Sequence, residues 1–388
     1  MVEETAEELL SRLVAFPTIA GQSNLELVAF VAERLEACGS RVSILPGARP
    51  DARNLHAVLG PTHAPGGLLL AAHSDVVAVE GQPWTRDPFT LTREAGRLYG
   101  RGTADMKGFI ASLLAALATV DVRTLRRPLH VALSSDEELG CIGVGPLLDV
   151  LAQLDVPPAY AVVGEPTSLR VAVKHKGKTA ERIHLTGRAA HSSLAPTGVN
   201  AVAYAGRLIG ELLALQDEIA AEERDAAFTV PYATIGIGPI AGGVSMNIVP
   251  DSCRLDVEVR SLPGQNPVEI MARIAAVAGR IEREMRATAP EASIEFEPLS
   301  SYPGLDVRAD DDFSDRVAVL AEDGDEPAAL DFGTEAGLYQ QRLGIPVVVC
   351  GPGSMQQAHR ADEFLAVEQL RGGQTLIEQL LGGANLNE

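Results

Sequence analysis

Four short apolar runs, GLLLAAH, PLHVALSS, AYAVVG and IPVVVCG, each stop at a histidine, an acid or a polar glycine-containing loop, with helical stretches in their neighbourhood. A chain of this rhythm reads as an α/β domain around a sheet. Ligands of open α/β sheets sit beyond the carboxyl ends of the strands, so the polar endings are where chemistry is sought.

The rhythm starts with helical EETAEELLSRLVAF and NLELVAFVAERLEAC and strand-like RVSILP and NLHAVLG. MKGFIASLLAALATV predicts a helix directly after Asp105. From about Lys178 the order changes to strand ERIHLTG, helix NAVAYAGRLIGELLALQDEIAA, strands YATIGIG and SCRLDVEVR, helix PVEIMARIAAVAGRIEREM and strand SIEF. This β-α-β-β-α-β order predicts a ferredoxin-like insertion over residues 178–297. Residues 1–177 and 298–388 then form the host domain, to which DFGTEAGLYQQRL, IPVVVCG and FLAVEQLRGGQTLIEQLL return. With 388 residues and 46% apolar side chains, the chain is long enough for two cores.

The charge balance narrows the partners. Fifty-two acidic against thirty-two basic residues give a net charge of −20, which repels nucleic acid and anionic lipid. No run approaches the ~18 consecutive apolar residues of a membrane span, and the acidic start MVEETAEELL lacks the basic character of a signal peptide. Cys38, Cys141, Cys253 and Cys350 form no CxxC pair, which suits free thiols in a reducing cytoplasm.

His73 and Asp75 lie two apart at the end of GLLLAAHSD, so their side chains share one face of a strand. An acid in that position can orient a metal-ligating imidazole, although HxD alone also suits a satisfied core histidine. Asp105 follows the glycine-rich GRG and precedes a helix, a place equally suited to an N-cap. PLHVALSS runs into Asp136, Glu137 and Glu138, carboxylates that repel one another unless a cation is near; a solvated acidic loop is the plainer reading. Glu165 ends AYAVVG, and His359 follows the loop GPGSMQQAHR. His73, Asp105, Glu138, Glu165 and His359 thus all fall at strand ends or in adjoining loops. Mixed imidazole and carboxylate donors suit zinc, with cobalt or manganese as alternatives.

These residues sit within HSDVV, PWTRDPFTLT, GRLYGRGTADMKGF, SDEE, GEPTSL, HKG, AHSS, GVNA, AFTVPYATIGIG, GGVSMN, VRSLPG, GTEAG and GPGSMQQAHRADEF. In that order and along nearly the whole chain, they resemble the two-zinc family of aminoacylases, succinyl-diaminopimelate desuccinylases and glutamate carboxypeptidases, and within it the acetylornithine deacetylases. The resemblance implies a two-zinc peptidase-like α/β/α catalytic domain with an inserted ferredoxin-like dimerisation domain acting as a lid. It implies that Asp105 bridges two metals, with His73 and Glu165 on one, Glu138 and His359 on the other, and Asp75 orienting His73. Glu137 falls at the general base, and His191 at a histidine that reaches the partner subunit's site to stabilise the oxyanion. Asn247 and Arg260 match substrate contacts, Arg260 for an α-carboxylate. The residues alone leave a capping role open for His191 and a structural salt bridge for Arg260.

The implied activity is metal-dependent hydrolysis of an N-acyl amino acid by a cytoplasmic homodimer, with Nα-acetyl-L-ornithine, a substrate of arginine biosynthesis, foremost. A succinyl-diaminopimelate desuccinylase is the alternative within the family. A non-catalytic member that only binds an amino acid is the alternative outside enzymes, but such a chain would have lost a ligand or Glu137. No GxSxG elbow is present, GKT at Gly177–Thr179 has no glycine five residues earlier, and GGVSMN rather than a helix follows Gly236, Gly238 and Ala241.

Overall fold

The computed structural model describes residues 4–307, 312–325 and 327–382. The chain divides into two compact units, one of residues 1–174, 305–329 and 334–388, the other of 175–304 and 330–333.

In the first unit, strands Leu129–Ser134, Gly67–His73, Pro158–Pro166 and Val347–Gly351 lie side by side and parallel. Arg53–Leu59 and Arg41–Pro46 extend one flank of this sheet antiparallel. Gly67–His73 is buried on both faces, as its uninterrupted apolar sequence requires. The chain passes from it to Leu129–Ser134 on one side and then to Pro158–Pro166 on the other, so the order reverses at its carboxyl end.

Helices Ala6–Val14, Leu25–Ala37, Gly108–Thr119 and Val367–Gly382 pack against one another in one layer, and Gly145–Ala152 and Ala336–Leu343 pair in another. Gly108–Thr119 is apolar nearly all round and lies in the middle of its layer, where Phe109, Ile110, Leu113 and Leu114 are buried. Phe109 packs against Gly164, where a Cβ would stand 2.1 Å from the ring. Thr5 opens the first helix with a capping box, its hydroxyl accepting from the Glu8 amide at 3.3 Å while the Glu8 carboxylate accepts from the Thr5 amide at 2.8 Å. The helix expected directly after Asp105 starts at Gly108, because Thr103–Lys107 form a wider π-type turn, the Lys107 amide donating to the Gly102 carbonyl, with non-helical backbone at Asp105 and Met106. Where this unit is interrupted, the Val307 amide donates to the Val173 carbonyl at 2.9 Å. Among the described residues no helix is long and apolar enough to cross a membrane.

The second unit has the β-α-β-β-α-β order of a ferredoxin-like fold, and its sheet runs Thr234–Gly242, Ser252–Ser261, Gly177–Thr186, Ser293–Tyr302, antiparallel throughout. Alternation in SCRLDVEVRS buries Cys253, Leu255, Val257 and Val259 with residues of helices Ala201–Ala220 and Pro267–Thr288. Asn200 and Asn266 cap these helices through their side-chain oxygens. The last strand runs past the expected SIEF to Tyr302. The segment EPLSSY stays paired with Gly177–Thr186 across a bulge at Pro298–Ser300, an edge position that tolerates proline. At the base of this unit, backbone meets backbone: a Cβ on Gly177 would lie 2.8 Å from the Gly304 nitrogen, and one on Gly304 would lie 2.8 Å from the His175 carbonyl.

His56 and His130 stack across neighbouring strands of the first sheet, with Nε2 of His56 3.1 Å from Nδ1 of His130. Burial pushes both imidazoles down to about 4. In the unfolded chain each titrates near ~6.5, so between ~6.5 and ~4 the unfolded state binds more protons. Stability from this source is intact above ~6.5 and falls on acidification, by about 2 kcal/mol per ring at pH ~5. His130→Leu should therefore lose less Tm than the parent between pH ~7 and ~5, by roughly 2–4 °C. Parallel Tm–pH curves for the two proteins would refute this account.

Candidate metal centre

The carboxyl ends of the parallel strands deliver the site in the first unit. His73 is the last residue of its strand, Glu165 stands near the end of Pro158–Pro166, and Glu137 and Glu138 follow Leu129–Ser134 by a short turn. Asp105 enters from the turn before Gly108–Thr119, and His359 from the loop after Val347–Gly351, in a left-handed backbone conformation at φ 60°.

Asp105 stands between the two imidazoles. Its Oδ1 lies 3.1 Å from His73 Nε2 and its Oδ2 3.1 Å from His359 Nε2. Glu138 is 3.2 Å from His359 Nε2, and Glu165 is 3.8 Å from His73 Nε2. Among the described residues, donor atoms of His73, Glu137 and Glu165, and of His73, Asp105 and Glu138, cluster within 4.8 Å of one another. Two ligands on one tetrahedral zinc, each at ~2.0–2.2 Å, stand roughly 3.3 Å apart. The observed spacings fit donor atoms that could share an ion.

The electrostatics agree with that fit. Burial raises the Glu137 carboxyl to about 8, with Glu138, Asp75 and Asp105 adding to the rise against the pull of His73. Glu138 and Glu165 are pushed up by burial and by Asp105. Burial also opposes the charge on Asp105, but His359 and His73 outweigh it and hold that carboxyl below its usual range. Hydrogen bonds that the imidazole donates to Asp105 and Glu138 lift His359 to about 11. Acids that hold a proton on an imidazole so firmly are equally suited to hold a divalent cation between them.

Asp75 has two tasks. His73 Nδ1 lies 3.0 Å from the Asp75 carbonyl and 3.7 Å from its carboxylate, which turns Nε2 towards Asp105. The Asp75 carboxylate also accepts from the amides of Glu137 and Glu138, at 3.1 Å each. Asp136, the first of the acidic run, accepts from the Gly21 amide and from Arg49, so it anchors the loop away from the cluster. Sequence reading missed two further buried acids. Glu335 accepts from the Ser134 hydroxyl at 2.9 Å, and Glu363 accepts from the amides of Ala104 and Asp105.

His191, Asn247 and Arg260 belong to the second unit. His191 caps the short helix Ser192–Thr197, Nδ1 accepting from the Ser193 amide, so the capping reading describes one edge of its ring. Asn247 is its neighbour, its carbonyl accepting from the Ser192 amide. Arg260 donates to Glu258 and to the Tyr302 hydroxyl, so the salt bridge left open by the sequence is present.

Residues 69–382 match the profile of peptidase family M20/M25/M40. The chain is 34% identical over 381 residues, 96% of either length, to acetylornithine deacetylase of Photorhabdus laumondii subsp. laumondii. The M20 family metallo-carboxypeptidase Sso-CP2 from Sulfolobus solfataricus superposes with a TM-score of 0.79 at 18% identity, covering 97% of this chain and 98% of that one. The dipeptidase Dug1p from Saccharomyces cerevisiae gives 0.77 at 14%, covering 97% and 95%. These two likenesses carry the fold, and the profile match carries descent: the chain belongs to peptidase family M20/M25/M40 and is a metal-dependent hydrolase.

Proposed function

We propose that this hydrolase removes the acyl group from an N-acyl amino acid, with Nα-acetyl-L-ornithine as the leading substrate, giving L-ornithine and acetate for arginine biosynthesis. The observation that carries the chemistry is Asp105 set between His73 and His359, each at 3.1 Å. The near full-length likeness to an acetylornithine deacetylase supports the substrate.

His73 and Glu165 would hold one Zn2+ and His359 and Glu138 the other, with Asp105 shared; Co2+ or Mn2+ would fit the same donors. When bound, two such ions lower the pKa of water and polarise an acyl oxygen. Glu137, whose Oε1 receives the Cys141 thiol at 3.3 Å, takes the proton of the attacking water and passes it to the leaving amine. Asp75 keeps the lone pair of His73 Nε2 aimed at the centre.

In the second unit, the Nδ1 bond of His191 leaves Nε2 to carry the ring proton of the neutral imidazole, as an oxyanion donor requires. Asn247 beside it contacts the substrate. Arg260 offers its fork to the α-carboxylate, in competition with Glu258. Leu194, Val244, Met246 and Ile248 are exposed around His191 and Asn247, an apolar surface that suits a homodimer in which His191 serves the partner's site. The thiols are unpaired, consistent with residence in the cytoplasm.

Metal-loaded and chelated protein should be assayed side by side on Nα-acetyl-L-ornithine, N-acetyl-methionine and N-succinyl-diaminopimelate. Preference for acetylornithine, lost on chelation, is expected. Preference for the succinyl compound would make the chain a desuccinylase, and no metal-dependent turnover would make it a binding protein. Glu137→Gln should lower kcat by about 10²–10⁴ while metal content stays parental, because only proton transfer is removed. Near-parental turnover would take Glu137 out of that role.

A further inference from the structure

Arg101 and Glu363 are each about 1% exposed and meet at 2.6 Å. An ion pair so deeply buried loses in desolvation much of what it gains in attraction, so net stability is a poor account of it. Its geometry is more informative. One Glu363 carboxylate accepts four hydrogen bonds: from Arg101, from the Gly102 amide at 3.0 Å, from Ala104 at 2.9 Å and from Asp105 at 3.1 Å. The backbone that presents Asp105 is therefore fastened to a single side chain.

The same guanidinium reaches in a second direction. Its other terminal nitrogen donates to Gln82 Oε1 at 2.6 Å, and Gln82 Nε2 donates to the His359 carbonyl at 3.3 Å. Trp84 fixes this arm, donating to Gln82 Oε1 at 3.2 Å with its ring 5.0 Å from the guanidinium carbon. His359 holds a left-handed conformation that a side chain seldom adopts without support, and Gln82 supplies part of that support. His73 and Glu165, by contrast, are fixed by strands of the sheet.

We propose that Arg101 and Glu363, with Gln82 as intermediary, are positioning residues that set the spacing of Asp105 and His359 and so govern affinity for the ion held by Glu138 and His359. The planar fork of Arg101 spans both directions at once, which a lysine ammonium cannot do. The proposal rests on the ligand assignment made above.

Metal-stripped full-length parent, Arg101→Lys, Gln82→Leu and His359→Ala should be titrated with Co2+, followed by visible absorption and metal analysis. In folded Gln82→Leu the first Co2+ is expected to bind as in the parent and the second about 10–100-fold more weakly, with an altered Co2+ spectrum; in folded Arg101→Lys, where the shared Asp105 also loses support, the second ion weakens likewise and the first to a lesser degree. A purely structural role would lower Tm and leave the second affinity and the spectrum unchanged. Gln82 is only half-buried, so Gln82→Leu decides the matter if Arg101→Lys does not fold. Parental binding of the second ion in these variants, together with its loss in His359→Ala, overturns the positioning role alone. Parental binding of both ions by His359→Ala overturns the ligand assignment, and the positioning role with it.

Discussion

The burial of Asp75, Asp105 and Glu165, with Glu137 and Glu138 half-buried beside them, around His73 and His359 is the constraint to which the rest of the first unit answers. Carboxylates withdrawn from water demand positive charge close by. Among the described residues, the two fully buried cations of this unit are committed elsewhere, Arg101 to Glu363 and Lys107 to the Phe16 carbonyl at 2.7 Å. What remains is the pair of imidazoles or the metal ions that the donor spacing fits. A centre of this kind holds its shape only if the backbone beneath it cannot relax to separate the charges.

The sheet supplies that resistance. His73 and Glu165 come from adjacent parallel strands, and the turn bearing Glu137 and Glu138 hangs by two amides from Asp75, just past the end of the His73 strand. Asp136 ties the same turn to Gly21 and Arg49 on its outer side. Asp105, His359 and the Glu137–Glu138 pair arrive on loops, and each of these loops is tied through its backbone to a side chain.

The strand-end candidates were legible because an apolar run that stops at a histidine or acid carries its own signal. The supports were not. Glu363 serves backbone amides and Glu335 a serine hydroxyl 201 positions away, and neither partner leaves a mark in the residues beside them. The small sheet of Thr92–Glu94, Arg97–Tyr99 and Phe364–Ala366 escaped notice because three-residue strands are too short to show alternation. The end of the second unit was misplaced for a related reason: EPLSSY is polar and contains proline, yet pairs as an edge strand. For His191 and Arg260 the sequence offered two roles each, and the bonds of the structural role are present at both.

The chain leaves the first unit and returns to it through segments that touch, Val173 with Val307 on the host side, His175 and Gly177 with Gly304 on the other. An insertion whose two ends meet adds a whole folded body without lengthening any loop of its host. Host and insert can then acquire substitutions as separate hereditary modules, the host answering to the acidic centre and the insert to whatever its own sheet and helices must contact. Whatever the inserted body must contact, the two glycines at the seam leave no room for a side chain.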